Sequence, residues 1–329
     1  MGADKLVFLG TGGTIAGSAA TPGDNLGYTA AQVGIDALLQ ALPSEASTVL
    51  SCVSEQVAQV DSKDMDFSVW SALAQRCQYH LNDPLVRGLV ITHGTDTLEE
   101  TAWFLRRVLD SSKPVVLTGA MRPATSVAPD GPQNIRDAVA VATSPDACSV
   151  LVVCAGEIHD ARHVRKIHPY RLNAFGSGDH GPLGWIEEGV VRLAQNWPPA
   201  QTRPAQEAMN KIANGSPWPR VEIVMSYAGA QGATVDALVR SGVQGLVAAA
   251  TGNGTLHHSL ESALERAQEV GVVVRVASRC PLGHVIAVSD DDEAAAQTLV
   301  RVGGLSAVKV RVDLLLDLLE SAVEVPGTQ

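Results

Sequence analysis

Two glycine-containing turns carry threonines at positions where a hydroxyl could do chemistry. Residues 11–17 read TGGTIAG, and residues 93–97 read HGTDT. Each turn follows an apolar run that predicts a buried strand, and glycine lets the backbone turn sharply, so that a threonine hydroxyl and a neighbouring amide N–H face one ligand. Taken singly, Thr14 or Thr95 could simply cap a helix. Together the two turns predict a shared site.

Other polar residues would complete that site if the fold brings them to the two turns. They are Ser62, Asp96 and Lys166. With the threonines, they supply a nucleophile, a second hydroxyl, a carboxylate and a cation. Those are the parts of an activated-hydroxyl hydrolase.

Short apolar runs alternate with helical patterns along the chain, which predicts an α/β fold with a doubly wound, mostly parallel sheet. Prolines accumulate after residue 195, as in an exposed linker, and the same rhythm then resumes on a smaller scale. We therefore predict a larger N-terminal α/β domain with the catalytic threonines (1–195), a linker (196–219) and a smaller C-terminal α/β domain (220–329). Among the helices, one is predicted at 30–42 and the last at 314–322.

Ligands of open α/β sheets bind outside the carboxyl ends of the strands. Both threonine turns lie at such ends, and so do residues 61–64 (DSKD) and 118–123 (TGAMRP). We expect these loops, rich in hydroxyl, carboxylate and glycine, to converge on one crevice.

Composition points to a small-molecule ligand. The net charge is −11 and no basic stripe is visible, which argues against a nucleic-acid partner. No apolar stretch reaches the length of about 18 residues that a membrane-spanning helix requires.

The five cysteines form no C-x-x-C pair, which fits reduced thiols, and the N-terminus leaves no room for a signal-peptide apolar region. We therefore expect a cytoplasmic location.

Rival motifs are incomplete. A dinucleotide fingerprint needs glycine where Ile15 stands, and a phosphate-binding P-loop needs lysine where Ser18 stands. His159 and His163 have the spacing of a zinc-binding helix, but cationic neighbours argue against a metal, so segment 159–163 is interpreted as a solvated loop. The acidic run 290–293 is interpreted as a solvated helix start.

At these residues the chain resembles the bacterial-type L-asparaginase and glutaminase-asparaginase family. Segment 11–17 looks like the family's first threonine signature, and segment 93–101 (HGTDTLEET) like its second. Further similar segments, spread over about residues 5–320, are 28–29 (YT), 64–65 (DM), 113–116 (KPVV), 119–123 (GAMRP), 130–132 (DGP) and 181–184 (GPLG). The joint match is highly specific.

The resemblance implies a hydrolase that releases ammonia from a side-chain amide through an acyl-threonine intermediate. Thr14 is then the nucleophile and Tyr28 lies beside it on a closing loop, Thr95 pairs with Lys166, Asp96 binds the substrate α-ammonium, and Ser62 binds the α-carboxylate. The implied catalytic residues are Thr14, Thr95, Lys166, Tyr28 and Asp96, and the implied substrate-binding residues are Ser62, Lys63, Thr95, Asp96, Gly13 and Ala120. No metal or organic cofactor is implied, and the expected assembly is a homotetramer built as a dimer of dimers.

Three positions depart from the family pattern. Lys63 stands where glutamine or glutamate is common, and a cation there should repel an α-ammonium unless a carboxylate compensates. Thr255 replaces an asparagine, and the acidic residue that members contribute from a neighbouring subunit has only Asp290 as its nearest match. These changes bear on affinity and substrate choice more than on reaction type.

The leading hypothesis is an L-asparagine amidohydrolase that produces L-aspartate. The first alternative is a dual glutaminase-asparaginase, because the two substrates differ by one methylene. A non-catalytic amino-acid-binding protein on the same fold is the rival from another class, since a fold does not imply a function. A nucleotide-dependent oxidoreductase is the weakest option.

Overall fold

The computed structural model describes residues 4–40, 51–201, 204–286 and 299–321. The chain divides into two compact units, Met1–Pro204 and Ala205–Gln329. Within the described residues, no helix has both the length and the apolar character needed to cross a membrane.

The first unit is built on an eight-stranded mixed sheet and a separate two-stranded ribbon. Its strands are β1 (Lys5–Gly12), β2 (Ser51–Val60), β3 (Val86–Thr92), β4 (Val115–Thr118), β5 (Val150–Cys154), β6 (Glu157–Asp160), β7 (Arg165–Lys166), β8 (Phe175–Gly176), β9 (Gly184–Glu187) and β10 (Val190–Leu193). The sheet order is β10-β9-β6-β5-β4-β3-β1-β2, and β7 pairs with β8. Strands β1 to β5 pair with one another in parallel, whereas β6, β9 and β10 join the sheet through antiparallel pairs.

Helices cover this sheet and complete its core. They are α1 (Ile35–Gln40), α2 (Phe67–Leu81), α3 (Leu98–Val108) and α4 (Gly131–Ala142). Strands β4 and β5 are buried along their whole length, as expected of parallel strands covered on both faces. Helix α2 begins at Phe67 because Asp66 accepts a hydrogen bond from the Val69 N–H, which satisfies a donor that has no partner inside the helix.

The second unit contains a smaller parallel sheet in the order β11-β12-β13-β14. Its elements are β11 (Val221–Met225), β12 (Gly245–Ala250), β13 (Val273–Ser278), β14 (Val300–Arg301), α5 (Gln206–Ala213), α6 (Ala233–Arg240), α7 (His258–Glu269) and α8 (Ala307–Ser321). Residues such as Val235, Leu246 and Leu264 form its core. The predicted fold class, a larger mostly parallel α/β sheet followed by a smaller α/β sheet, is confirmed.

Several element boundaries differ from the sequence prediction. Helix α5 lies inside the segment 196–219 interpreted as a linker, because Ala208, Met209 and Ile212 share a buried face that the surrounding prolines obscured. Helix α8 begins at Ala307 rather than at 314. The sequence prediction missed its first residues because 307–313 alternate between apolar and polar side chains, a pattern typical of a strand. Helix α1 begins at Ile35, later than the predicted 30. The predicted ends of these two helices at 42 and 322 lie outside the described residues.

Segment 159–163, interpreted as a solvated loop, begins instead on a strand, because His159 and Asp160 are the last residues of β6 and residues 161–163 form the turn that follows. His159 lies on β6, is buried, and its Nδ1 lies 2.9 Å from the Ser177 hydroxyl. A two-residue turn at Ala155 and Gly156, with φ of 51° and 76°, folds β6 back on β5. Positive φ at both turn residues matches the twist of the strands it joins. Ala155 is not glycine, so the sequence did not signal this turn.

The acidic run 290–293 lies outside the described residues.

Candidate active site

The loops that leave β1, β2 and β3 meet at the carboxyl ends of these neighbouring strands. Gly13 and Gly94 are in direct contact, because a Cβ on Gly13 would overlap the Gly94 backbone. A Cβ on Gly94 would lie 2.6 Å from the Ser62 Cβ. Glycine is therefore required at both positions for the two threonine turns to approach each other.

The first turn places Thr14 beside Tyr28. Strand β1 ends at Gly12, and Gly13 precedes a short 3-10 turn, Thr14–Ala16; the φ values of the two glycines are 100° and 83°. The buried Thr14 hydroxyl lies 2.7 Å from the Tyr28 hydroxyl. The Gly13 N–H donates to the Val60 carbonyl, whereas the Thr14 N–H has no acceptor among the described residues. An amide donor is thus left next to a reactive hydroxyl.

The second turn places Thr95 and Asp96 against Lys166. The Lys166 Nζ donates to the Thr95 Oγ1 at 2.9 Å and to the Asp96 Oδ1 at 2.5 Å. The Lys166 side chain is 17% exposed, and its backbone lies on the β7–β8 ribbon opposite Phe175. Thr95 is buried, and its own N–H has no acceptor within the described part of the chain. A hydroxyl, a cation and a carboxylate therefore form one contiguous group.

Ser62 joins the end of β2 to this group. It begins a 3-10 turn, Ser62–Asp64, and is only 2% exposed. Its hydroxyl oxygen accepts the Asp96 N–H at 3.1 Å, and its carbonyl accepts the Thr97 hydroxyl at 2.8 Å. The ends of β2 and β3 are thereby held together by hydrogen bonds.

Lys63 contacts carboxylates of its own turn. Its Nζ lies 2.7 Å from Asp61 Oδ2 and 3.0 Å from Asp64 Oδ2, with the side chain 61% exposed. Hydrogen bonds to these two carboxylates, Asp61 first, raise the pKa of Lys63 above its usual value. Asp61 and Asp64 are therefore the carboxylates that compensate the charge of Lys63, because the three side chains together carry a net negative charge.

The loop after β4 packs against the second turn. A Cβ on Gly119 would lie 3.0 Å from the Thr95 Cγ2 and 2.8 Å from the His93 carbonyl oxygen. The next residue, Ala120, is buried. The structure therefore brings all four strand-end loops of the sequence prediction together, with Tyr28 beside Thr14 and with Asp96 and Lys166 beside Thr95. Asp290 lies outside the described residues, and Thr255 lies in the second unit, where its hydroxyl is 2.9 Å from that of Thr251.

Sequence reasoning missed Glu99. Its Oε2 accepts the backbone N–H of Lys166 at 2.6 Å. Helix α3, which follows the second threonine turn, therefore also holds the backbone of the lysine. The sequence signal at Glu99 is an acid in the first turn of a helix, which the helix dipole alone explains. Its partner is 67 residues away, so local spacing could not identify the contact.

His93, next to this site, is fully buried and neutral at pH 7. Its Nδ1 lies 2.7 Å from the Gly94 carbonyl oxygen, and burial lowers the pKa of His93 from 6.5 to about 4. Because the folded-state pKa is depressed, the associated stability is present above pH 6.5 and is lost as the pH falls toward 4.

We expect the His93→Gln variant to lose less stability than wild type over that window. Between pH 6.5 and pH 4, the free energy of unfolding of wild type should fall by about 3 kcal/mol more than that of the variant, because only wild type must keep a buried imidazole neutral. Urea unfolding at a series of pH values measures it. Parallel profiles for the two proteins would contradict the assignment, whatever their absolute stabilities.

No group of three or more His, Cys, Asp or Glu side chains within residues 4–40, 51–201, 204–286 and 299–321 is arranged to hold a metal ion. The side chains that meet at this site are hydroxyls, a lysine and carboxylates.

The chain matches known proteins over most of its length. Residues 5–199 match the family model described as Asparaginase, N-terminal, and residues 220–322 match the Glutaminase/Asparaginase C-terminal domain. The chain is 36% identical over 322 residues to L-asparaginase 2 of Escherichia coli (strain K12), covering 96% of this chain and 89% of that protein. It is 37% identical over 287 residues to the glutaminase-asparaginase of Pseudomonas fluorescens biotype A, covering 86% of this chain and 77% of that protein.

A solved structure is similarly close. The crystal structure of a probable cytoplasmic L-asparaginase from Campylobacter jejuni matches with a TM-score of 0.87 and 37% sequence identity, covering 96% of this chain and 95% of that chain. The resemblance inferred from the motifs is confirmed. The chain therefore belongs to the asparaginase family and is a hydrolase that acts on the amide C–N bond of an amino-acid amide.

Proposed function

We propose that this protein is an L-asparagine amidohydrolase that works through an acyl ester on Thr14. The observation that carries the proposal is the meeting of the two threonine turns at Gly13 and Gly94, with the Lys166 Nζ 2.9 Å from the Thr95 hydroxyl. An amide carbon bound between the turns has a nucleophile on one side and a cation-linked hydroxyl on the other. Family membership supplies the reaction class.

In the first step, the Thr14 oxygen forms a bond to the side-chain carbonyl carbon of asparagine. The C–N bond breaks, and the hydroxyl proton ends on the departing nitrogen, which leaves as ammonia. Tyr28, 2.7 Å from the Thr14 oxygen, is the group within reach to relay that proton. Amide N–H groups without internal acceptors at Thr14 and Thr95 support the assignment of an oxyanion site, where each donor is worth about 3 to 4 kcal/mol.

In the second step, water attacks the acyl carbon, one of its protons returns to the Thr14 oxygen, and L-aspartate leaves. Once Lys166 has given up a proton, its amine acts through the Thr95 hydroxyl as the base that orients and deprotonates this water. Asp96 binds the α-ammonium, for which its exposed carboxylate is suited, and Ser62 binds the α-carboxylate. Gly13, Ala120 and Lys63 complete the proposed substrate-binding set.

The alternative substrate is L-glutamine, since relatives of both names match this chain at similar identity. A pocket discriminates one methylene by about 1 to 3 kcal/mol. We therefore expect kcat/KM for L-asparagine to exceed that for L-glutamine by about 10- to 200-fold. Ammonia release at matched concentrations measures the ratio, with identically purified Thr14→Ala protein as the control for host enzymes. A ratio near one would assign the dual activity instead.

Location and assembly stay proposals. A cytoplasmic location is supported by the similar structure named as a probable cytoplasmic L-asparaginase and by five free cysteines, although another relative, from Haemophilus influenzae, is named as probably periplasmic. A homotetramer of two dimers is proposed from the family resemblance.

A further inference from the structure

The N-terminus of α4 contacts both sides of the proposed active site. A Cβ on Gly131 would lie 2.9 Å from the Ile15 Cγ1 and 3.6 Å from the Ala120 Cβ. Ile15 follows Thr14 directly in the chain. The first turn of α4 therefore lies against the nucleophile's turn and against the loop after β4.

Asp130, at the N-cap of α4, does not use its carboxylate as an N-cap normally does. An N-cap aspartate accepts a backbone N–H of its own helix. Asp130 makes no such bond; its Oδ2 accepts the Met121 N–H and its Oδ1 accepts the Arg122 N–H, both at 2.9 Å. Hydrogen bonds to a carboxylate are about twice as strong as neutral ones, so the side chain holds the loop rather than the helix.

Asn134, one turn further along α4, holds the other end of the same loop. Its Nδ2 donates to the Gly119 carbonyl at 2.9 Å and to Asp130 Oδ2 at 3.3 Å, and its Oδ1 accepts the Ala155 N–H at 3.0 Å. The residue is 3% exposed. Both ends of the amide are thus occupied, and only an amide side chain can donate and accept in this way.

These contacts fix Ala120 between two held positions. Gly119 is fastened through its carbonyl, and Met121 and Arg122 through their N–H groups. Gly119 in turn packs on the Thr95 methyl. A displacement of this loop would move Ala120 relative to Thr95, and misplacement of reacting groups by about 1 Å costs about 100-fold in rate.

We propose that Asp130 and Asn134 are positioning residues that hold the Gly119–Arg122 loop against Thr95, so that the substrate's side-chain amide is aligned with Thr14. Neither residue has a hydrogen bond to the Thr14 or Thr95 hydroxyl among the described residues, and each acts through the loop backbone. This inference rests on the proposed amidohydrolase function.

The test compares Asp130→Asn with a matched control, Asp83→Asn. Asp83 also accepts a backbone N–H, from Leu85 at 2.9 Å, and pairs with Lys5 at 3.0 Å, but it lies beside the amino end of β3, away from the site. We expect Asp130→Asn to lower kcat for L-asparagine about 100-fold with KM within about 3-fold of wild type. Asp83→Asn should keep the wild-type kcat. Both proteins are also compared by Tm and far-UV circular dichroism.

A second variant, Asn134→Ala, removes the contact to Gly119 together with those to Asp130 and Ala155, and should show the same pattern of lowered kcat and retained KM. A wild-type kcat in folded Asp130→Asn would overturn the proposal, as would a loss carried entirely by KM. Failure of both variants to fold would assign the two residues to stability and overturn it as well. Failure of the proposed function is a different result, because the wild-type protein itself would then release no ammonia from either amide.

Discussion

Thr14→Ala is expected to lower kcat for L-asparagine by at least about 1,000-fold, since only binding and electrostatic contributions survive the loss of a covalent nucleophile. Tyr28 would lose its hydroxyl partner at 2.7 Å, but the turn itself is held by backbone contacts of Gly13 and Ala16. Binding of L-aspartate should therefore persist. Steady-state ammonia release and calorimetric titration with L-aspartate measure the two quantities.

Thr14→Ser is the matched control for this variant. It keeps the hydroxyl and removes only a methyl group, so it should retain activity within about 100-fold of wild type, whereas the alanine variant should not. Substantial turnover by Thr14→Ala would exclude Thr14 as the nucleophile, provided that the turnover does not come from a contaminating enzyme. Loss of L-aspartate binding along with turnover would indicate a collapsed site instead of a missing nucleophile.

Lys166→Met is the second large effect. The methionine keeps the length of the side chain but removes the donor that contacts Thr95 and Asp96, so kcat should fall by about 100- to 10,000-fold, the usual contribution of a general base. Lys166→Arg keeps the positive charge but cannot give up its proton at neutral pH. Both variants should be impaired if the lysine is a base, whereas retained activity in Lys166→Arg alone would limit its role to charge. Single-turnover ammonia release measures the first step separately.

A double-mutant cycle with Thr95→Val tests whether the pair acts as one unit. Because the Lys166 Nζ and the Thr95 Oγ1 are 2.9 Å apart, the losses in kcat should be far from additive. Additive losses would show that the lysine acts independently of Thr95.

The parallel half of the first unit could be predicted from sequence, and the antiparallel half could not. Strands β3, β4 and β5 are apolar runs bounded by turn residues, so their composition predicts that they are buried. Strands β9 and β10 are four residues each, with alternating or largely exposed side chains. Patterns that short carry too little periodicity to separate a strand from a loop.

The site shows the same division between local and long-range information. The two threonine turns were recognisable because glycine and hydroxyl residues follow buried strands directly. Local spacing does not give the bonds that assemble them, because Asp96 to Ser62 spans 34 residues and Lys166 to Thr95 spans 71. The pairing of Lys166 with Thr95 was expected from the family resemblance alone. Asp130 was visible only as part of a DGP segment, since its N-cap position predicts a local bond that the structure replaces with bonds to another loop.

If Thr14 is the nucleophile, it becomes acylated during turnover. Rapid acid quenching of wild-type protein with L-asparagine, followed by intact-mass and peptide mass spectrometry, tests it directly. We expect a β-aspartyl ester on the peptide that contains Thr14, formed before steady state and absent from Thr14→Ala. An ester on the Thr95 peptide, or turnover with no protein adduct under conditions that trap the ester in a reference amidohydrolase, would contradict it.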